Sequence, residues 1–104
     1  MSIDDWRRRI DEIDLKLVAL LNERAKCAVE IGHEKHLKGL PVYQPERENE
    51  ILGNIERANP GPLPDTAIRR LFERIIDEAR SLERTAHHEK PPASAAKERP
   101  KTTS

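Results

Sequence analysis

The chain is expected to be all-α, with three helices of which the first is much the longest. Three observations carry that expectation. Apolar residues recur at helical spacing from Ile3 to Leu37, through Trp6, Ile10, Ile13, Leu17, Leu20, Leu21, Ala28 and Ile31, and neither proline nor glycine interrupts them before Gly32. Two more amphipathic stretches follow, separated from it and from each other by proline- and glycine-containing segments. Apolar residues make up 36% of the chain and charged residues 37%, so any core must be drawn from narrow stripes.

The first helix is expected to begin near Ser2 or Asp4, where Asp4 and Asp5 face the positive end of the helix dipole. Glu12 and Lys16 stand at the stabilising i, i+4 spacing on its polar face. Gly39 and Pro41 end it. From Gly39 to Pro45 the two prolines restrict themselves and the residues before them, which makes an ordered connection. The second helix takes Pro45 in its first turn and carries Ile51, Leu52, Ile55 and Ala58 on one side. Asn59-Pro60-Gly61-Pro62-Leu63-Pro64 breaks it. The third helix runs from about Asp65 to Ala86, with Ile68, Leu71, Phe72, Ile75, Ile76, Ala79 and Leu82 as its stripe. Residues 1–88 are thus expected to form one helical domain. Residues 89–104 hold three prolines and no aromatic or branched apolar residue, and are expected to be a disordered tail.

A 104-residue chain with one tryptophan, one tyrosine and one phenylalanine would be marginal as a monomer. Three helices of such unequal length cannot form a compact bundle without leaving part of the first stripe bare, so a second copy of the chain is expected to cover it. Lysine plus arginine equals aspartate plus glutamate, which gives no bulk field to attract nucleic acid or an anionic membrane. No apolar run approaches a membrane span, no signal peptide is visible, and the single cysteine, Cys27, has no intrachain partner. A cytoplasmic protein is the expectation.

Charged residues stand where core residues belong. On a wheel of about 100° per residue, Arg24 and Lys35 lie within about 40° of Leu17, Ala28 and Ile31. Arg47 and Glu48 precede Ile51 and Leu52 by one turn, and Glu83 follows Ala79 by one turn. Taken singly, each could be a long side chain reaching out to solvent. Together they suggest a site, because a charge inside an apolar stripe needs a counter-charge. Arg7 is 17 residues before Arg24, or about 26 Å along a straight helix. If both grip one small ligand, two copies of the chain must supply them. Arg7, Arg24, Lys35 and Arg47 against Glu48 and Glu83 leave an excess that a dianion would balance. A small dicarboxylate suits forked arginines, and Glu48 could accept a hydrogen bond from a ligand hydroxyl. No glycine-rich phosphate loop and no nucleophile with an adjacent base stands out. His33 with His36 and His87 with His88 do not match a metal-ligand spacing, so neither a metal nor a cofactor is expected.

These residues fall into blocks that resemble a known family. R-x-x-I-D-x-I-D-x-x-L-x-x-L-L-x-x-R spans Arg7 to Arg24, A-x-x-I-G-x-x-K spans Ala28 to Lys35, and G-x-P-V-Y-x-P-x-R-E spans Gly39 to Glu48. A last helix follows around Leu71-Phe72-x-x-Ile75-Ile76. The pattern is similar to the all-helical chorismate mutases of the AroQ class over Ile3 to about Thr85. The resemblance implies an intertwined homodimer in which each active site borrows an arginine, here Arg7, from the partner. It implies that Arg7 and Arg24 bind substrate carboxylates, that Lys35 contacts a carboxylate and the ether oxygen, and that Glu48 accepts the ring hydroxyl. Gln44 and Arg47 would support the site. The implied reaction is the Claisen rearrangement of chorismate to prephenate, on the route to phenylalanine and tyrosine, with no cofactor.

Two positions depart from the family pattern. Many members carry glutamine where this chain has Glu83 and a small hydroxyl residue where it has Ala79. An amide donates to the ether oxygen at any pH, whereas a carboxyl donates only when protonated, so Glu83 is expected to be neutral in the working enzyme. Two other readings stand beside the mutase. An isochorismate pyruvate lyase of the same fold would need nearly the same pocket, although the P-V-Y-x-P-x-R-E block favours the mutase. A non-catalytic dimerisation or regulatory module would instead pair its inward charges between chains.

Overall fold

The computed structural model describes residues 1–88, which form three helices: α1 Ile3–Lys38, α2 Pro45–Ala58 and α3 Asp65–His88. The expected tail at 89–104 lies outside the described residues. α1 opens on a reciprocal cap in which the Ser2 hydroxyl accepts from the Asp5 amide at 3.1 Å and the Asp5 carboxylate accepts from the Ser2 amide at 3.0 Å. These bonds hold the Asp5 carboxyl below the ordinary aspartate range, the one to the Ser2 backbone most of all. At the other end Gly39 takes a left-handed conformation with φ 67°, which only glycine adopts without penalty, and the Leu40 amide returns to the Lys35 carbonyl at 2.8 Å. The chain is thereby turned out of α1 into the segment that leads to α2.

The turn between α2 and α3 is organised by one side chain. Asn59 donates to the Leu63 carbonyl and to the Asp65 carboxylate, each at 2.8 Å, and accepts from the Gly61 amide at 3.1 Å. α3 emerges from it packed against both other helices, and Arg69 ties it to Glu56 of α2 at 3.0 Å. It runs two residues past the expected end at Ala86.

The apolar core of one chain is small: Ala28, Leu52, Ile76 and Ala86 are its buried hydrophobic residues. α1 and α3 cross where side chains nearly vanish. A Cβ placed on the buried Gly32 would stand 2.6 Å from the Glu83 carbonyl oxygen and 2.9 Å from the Ala86 Cβ, so the backbones meet there with nothing between them. The N-terminal half of α1 extends beyond this crossing. Its stripe is open: Trp6 is 55% exposed, Ile10 53% and Leu17 50%. The longest dimension, 53 Å, is about that of a 36-residue helix at 1.5 Å per residue. The row of large apolar residues along this half of α1 is thus uncovered in one chain.

Candidate active site

The second half of α1, the segment before α2, the first turn of α2 and the second half of α3 enclose a cleft of about 450 Å³. Arg24 and Lys35 enter it from α1, and Gln44, Arg47 and Glu48 from the start of α2. Ala79 and Glu83 come from α3. Seven of the eight residues singled out from sequence therefore share one cavity, although they are spread over 60 positions of chain.

Arg7 is the eighth and is elsewhere. Its side chain is 73% exposed on the protruding half of α1, and its one ion pair among the described residues is with Asp4 at 3.8 Å. The straightness of α1 forbids it from reaching the cleft of its own chain.

Lys35 is more enclosed than Arg47 and Arg80. Its ammonium lies 2.7 Å from Glu83 Oε1 and 2.7 Å from the Val42 carbonyl oxygen, with the two side chains 12% and 15% exposed. The crossing at Gly32 sets this distance, since Glu83 leaves α3 at the residue whose backbone touches Gly32. Arg24, half-buried on the same wall, has no carboxylate partner among the described residues. An enclosed guanidinium in that position attracts an anion.

Glu48 is already gripped. Arg80 of α3 donates Nε to Oε2 at 2.9 Å and Nη2 to Oε1 at 2.8 Å, the planar two-pronged pairing of guanidinium and carboxylate. The hydrogen-bonded Glu48 carboxylate holds Arg80 above the ordinary arginine range, against the opposing effect of partial burial. Arg80 lines the cleft as well and was not singled out from sequence. It follows Ala79 on a helix rich in arginine and glutamate, and its partner is 32 residues away, so no local pattern distinguishes it.

Arg47 corrects an expectation. The wheel places it on the inward side of α2, but its side chain is 62% exposed and bonds Glu50 at 2.7 Å, at the rim of the cleft. Position 47 lies at the margin of the apolar stripe, about 100° around the helix from Glu48, which Arg80 of α3 covers, and a long side chain there reaches solvent. Gln44 serves through its backbone: its carbonyl oxygen accepts from the Arg47 amide at 3.1 Å and the Glu48 amide at 3.2 Å and so starts α2, while its side chain makes no cap bond. Ala79 contributes a methyl group where a hydroxyl would be a donor, and Cys27 lines the wall beside Arg24. Of the histidines, His87 bonds the Leu40 carbonyl oxygen at 3.0 Å and meets His36 edge to face at 5.4 Å, fastening the segment after α1 to α3.

Within the chain the cleft holds four cations, Arg24, Lys35, Arg47 and Arg80, against two carboxylates, Glu48 and Glu83. Its charge suits a small dianion, with the Arg80-held Glu48 carboxylate able to accept a further hydrogen bond and a lysine–carboxyl pair at Lys35 and Glu83.

A family model described as chorismate mutase type II matches residues 6–84. A bifunctional chorismate mutase/prephenate dehydratase of Neisseria gonorrhoeae is 47% identical over 79 residues, covering 75% of this chain and 21% of that protein. A chorismate mutase of Methanocaldococcus jannaschii is 32% identical over 84 residues, covering 80% of this chain and 85% of that one. The chain spans about a fifth of the length of the bifunctional relatives. Among solved structures, a chorismate mutase of Thermus thermophilus superposes with a TM-score of 0.77 at 40% identity, covering 78% of this chain and 92% of that chain. No helix among the described residues is long and apolar enough to cross a membrane.

Proposed function

We propose, from the premise that this chain belongs to the chorismate mutase type II family, that it catalyses the Claisen rearrangement of chorismate to prephenate as a cytoplasmic homodimer. The observation that carries the reading is the cleft, which gathers Arg24, Lys35, Glu48 and Glu83 in one chain while Arg7 stands outside it beside a bare apolar stripe. Packing that stripe against its copy would cover Trp6, Ile10 and Leu17 and carry the partner's Arg7 toward the cleft.

In the reaction a carbon–oxygen bond breaks as a carbon–carbon bond forms within one molecule, so no nucleophile, redox group or covalent intermediate is required. Arg24 and the borrowed Arg7 each take one carboxylate, which holds the enolpyruvyl arm over the ring in the reactive geometry; orientation of this kind is a major part of the rate enhancement. Glu48 accepts the ring hydroxyl. Lys35 and Glu83 face the ether oxygen, where negative charge develops as its bond to the ring breaks, and a donor fixed there in advance stabilises the transition state more than the ground state. Gln44 and Arg47 support the mouth of the site, and the Ala79 methyl leaves the donation to the pair below it.

The test is turnover of chorismate with prephenate identified as product, repeated with Arg7→Ala, Arg24→Ala and a mixture of the two variants. Each variant alone is expected to be nearly inactive. Random reassociation makes about half the dimers mixed, each with one intact site, so the mixture should recover about a quarter of the parent activity. A parent that leaves chorismate untouched but releases pyruvate from isochorismate would replace the mutase with the lyase of the same fold. An inactive mixture of refolded variants would remove the shared site.

A further inference from the structure

We propose that Arg80 is a positioning residue for Glu48: it fixes the plane and direction of the carboxylate that receives the substrate hydroxyl. The inference rests on the mutase reading and adds to it a residue that acts through another side chain. Glu48 has three rotatable side-chain bonds and sits in the first turn of α2 at the mouth of an open cleft, where a free carboxylate would sample solvent-facing rotamers. The two-pronged contact from Arg80, at 2.9 and 2.8 Å, removes that freedom and makes the carboxylate coplanar with the guanidinium. Each carboxylate oxygen has two lone pairs and spends one on Arg80, so each can still accept from a ligand.

Arg80 is itself braced. Its Nη1 lies 3.3 Å from Asp77 Oδ1 one turn back on α3, and its guanidinium carbon stands 5.3 Å from the centre of the Tyr43 ring. Both members of the pair are mostly sheltered, with side chains 24% and 22% exposed. One guanidinium therefore joins the segment before α2, the first turn of α2 and the middle of α3 at the point where Glu48 meets the cleft. In doing so it spends its charge on Glu48, which separates it from Arg24, which has no carboxylate partner among the described residues. A lysine could not replace it, because a single ammonium makes a point contact and leaves the carboxylate free to turn.

The experiment is a double-mutant cycle. Arg80→Met and Arg80→Lys are made in the parent and in Glu48→Gln, and kcat and KM for chorismate are measured with thermal unfolding of each protein. In the parent background Arg80→Met is expected to lower kcat/KM by about 10²-fold, the scale of a 1 Å misplacement, with Arg80→Lys recovering only part of it. In the Glu48→Gln background the same changes should cost less than about 3-fold, because the carboxylate they act through is gone. Equal losses in both backgrounds, or no loss in the parent, would overturn the proposal by reducing Arg80 to a bridge between helices. If Arg80→Met fails to fold, Arg80→Lys, which keeps the charge, decides by the same comparison. A parent with no mutase turnover removes the underlying reading and this inference together, whereas an active parent with additive effects removes the inference alone.

Discussion

The crossing of α1 and α3 at Gly32 offers the sharpest test of how this fold serves its site, through Gly32→Ala. Two effects compete. In a helix interior alanine is favoured over glycine by about 0.8–1.0 kcal/mol. Against this, the new Cβ would lie 2.6 Å from the Glu83 carbonyl oxygen, and reaching an ordinary 3.4 Å contact requires about 0.8 Å of separation. The obstacle is backbone, so no rotamer change relieves it, and overpacking of this kind costs about 1–3 kcal/mol. The net expectation is a loss of up to about 2 kcal/mol. The effect on turnover should be larger. The same movement carries Glu83 away from Lys35, whose 2.7 Å contact lies at the deep end of the cleft, and a displacement near 1 Å costs about 10²-fold in rate. Circular dichroism melting at fixed protein concentration and kcat for chorismate read the two effects separately. Gly53→Ala is the control: a Cβ there meets only the mobile end of Arg57 at 3.3 Å, so it should raise stability slightly and leave kcat alone. A Gly32→Ala enzyme as active as the parent and more stable would refute the idea that backbone contact sets the Lys35–Glu83 geometry.

Two further outcomes are expected. An amide can donate to the ether oxygen where a carboxylate only accepts, so Glu83→Gln is expected to keep or raise kcat while Glu83→Ala lowers it; a Glu83→Gln enzyme as slow as Glu83→Ala would exclude donation from this position. At the start of α1, the Asp5 carboxyl is held below the ordinary 3.8, so its ionised form contributes to stability above that value and the contribution is lost as pH falls through the lowered one. An NMR titration of Asp5 should find its midpoint under 3.8, and Ser2→Pro, which removes the backbone N–H that donates to the carboxylate, should move it upward; an unmoved midpoint would show that this bond is not the cause.

Most of this architecture is legible in the residues themselves. The 3.6-residue period and the punctuation at Gly39, Pro45 and Asn59–Pro64 locate each helix to within about two residues. The charges interrupting the apolar stripes locate the cleft, because Arg24, Lys35, Glu48 and Glu83 break a local rule, and such breaks collect at functional sites. What escapes the sequence depends on tertiary placement. Arg80 breaks no rule on a helix that alternates arginine and glutamate, and its meaning arises only when α2 brings Glu48 beside it. Gly32 reads as a weak point in a helix until α3 is seen lying against it. Arg47 misleads for the opposite reason: it stands at the edge of the stripe, about 100° around from Glu48, and α3 covers the Glu48 side.

The unbroken course of α1 has a consequence for how such a gene can vary. In the proposed dimer one helix serves two sites, with Arg24 in its own and Arg7 in the partner's, and nothing flexible lies between them. Substitutions among the intervening exposed positions leave that spacing intact. A single inserted or deleted codon does not, since it turns Arg7 by about 100° and shifts it about 1.5 Å relative to Arg24. The segment from residue 8 to residue 23 should thus accept many changes of letter and almost none of length, while the proline-rich turn at 59–64, held by Asn59 at the surface, is where length can drift. The number of residues between Arg7 and Arg24 would then be held fixed across a stretch that contains no catalytic group.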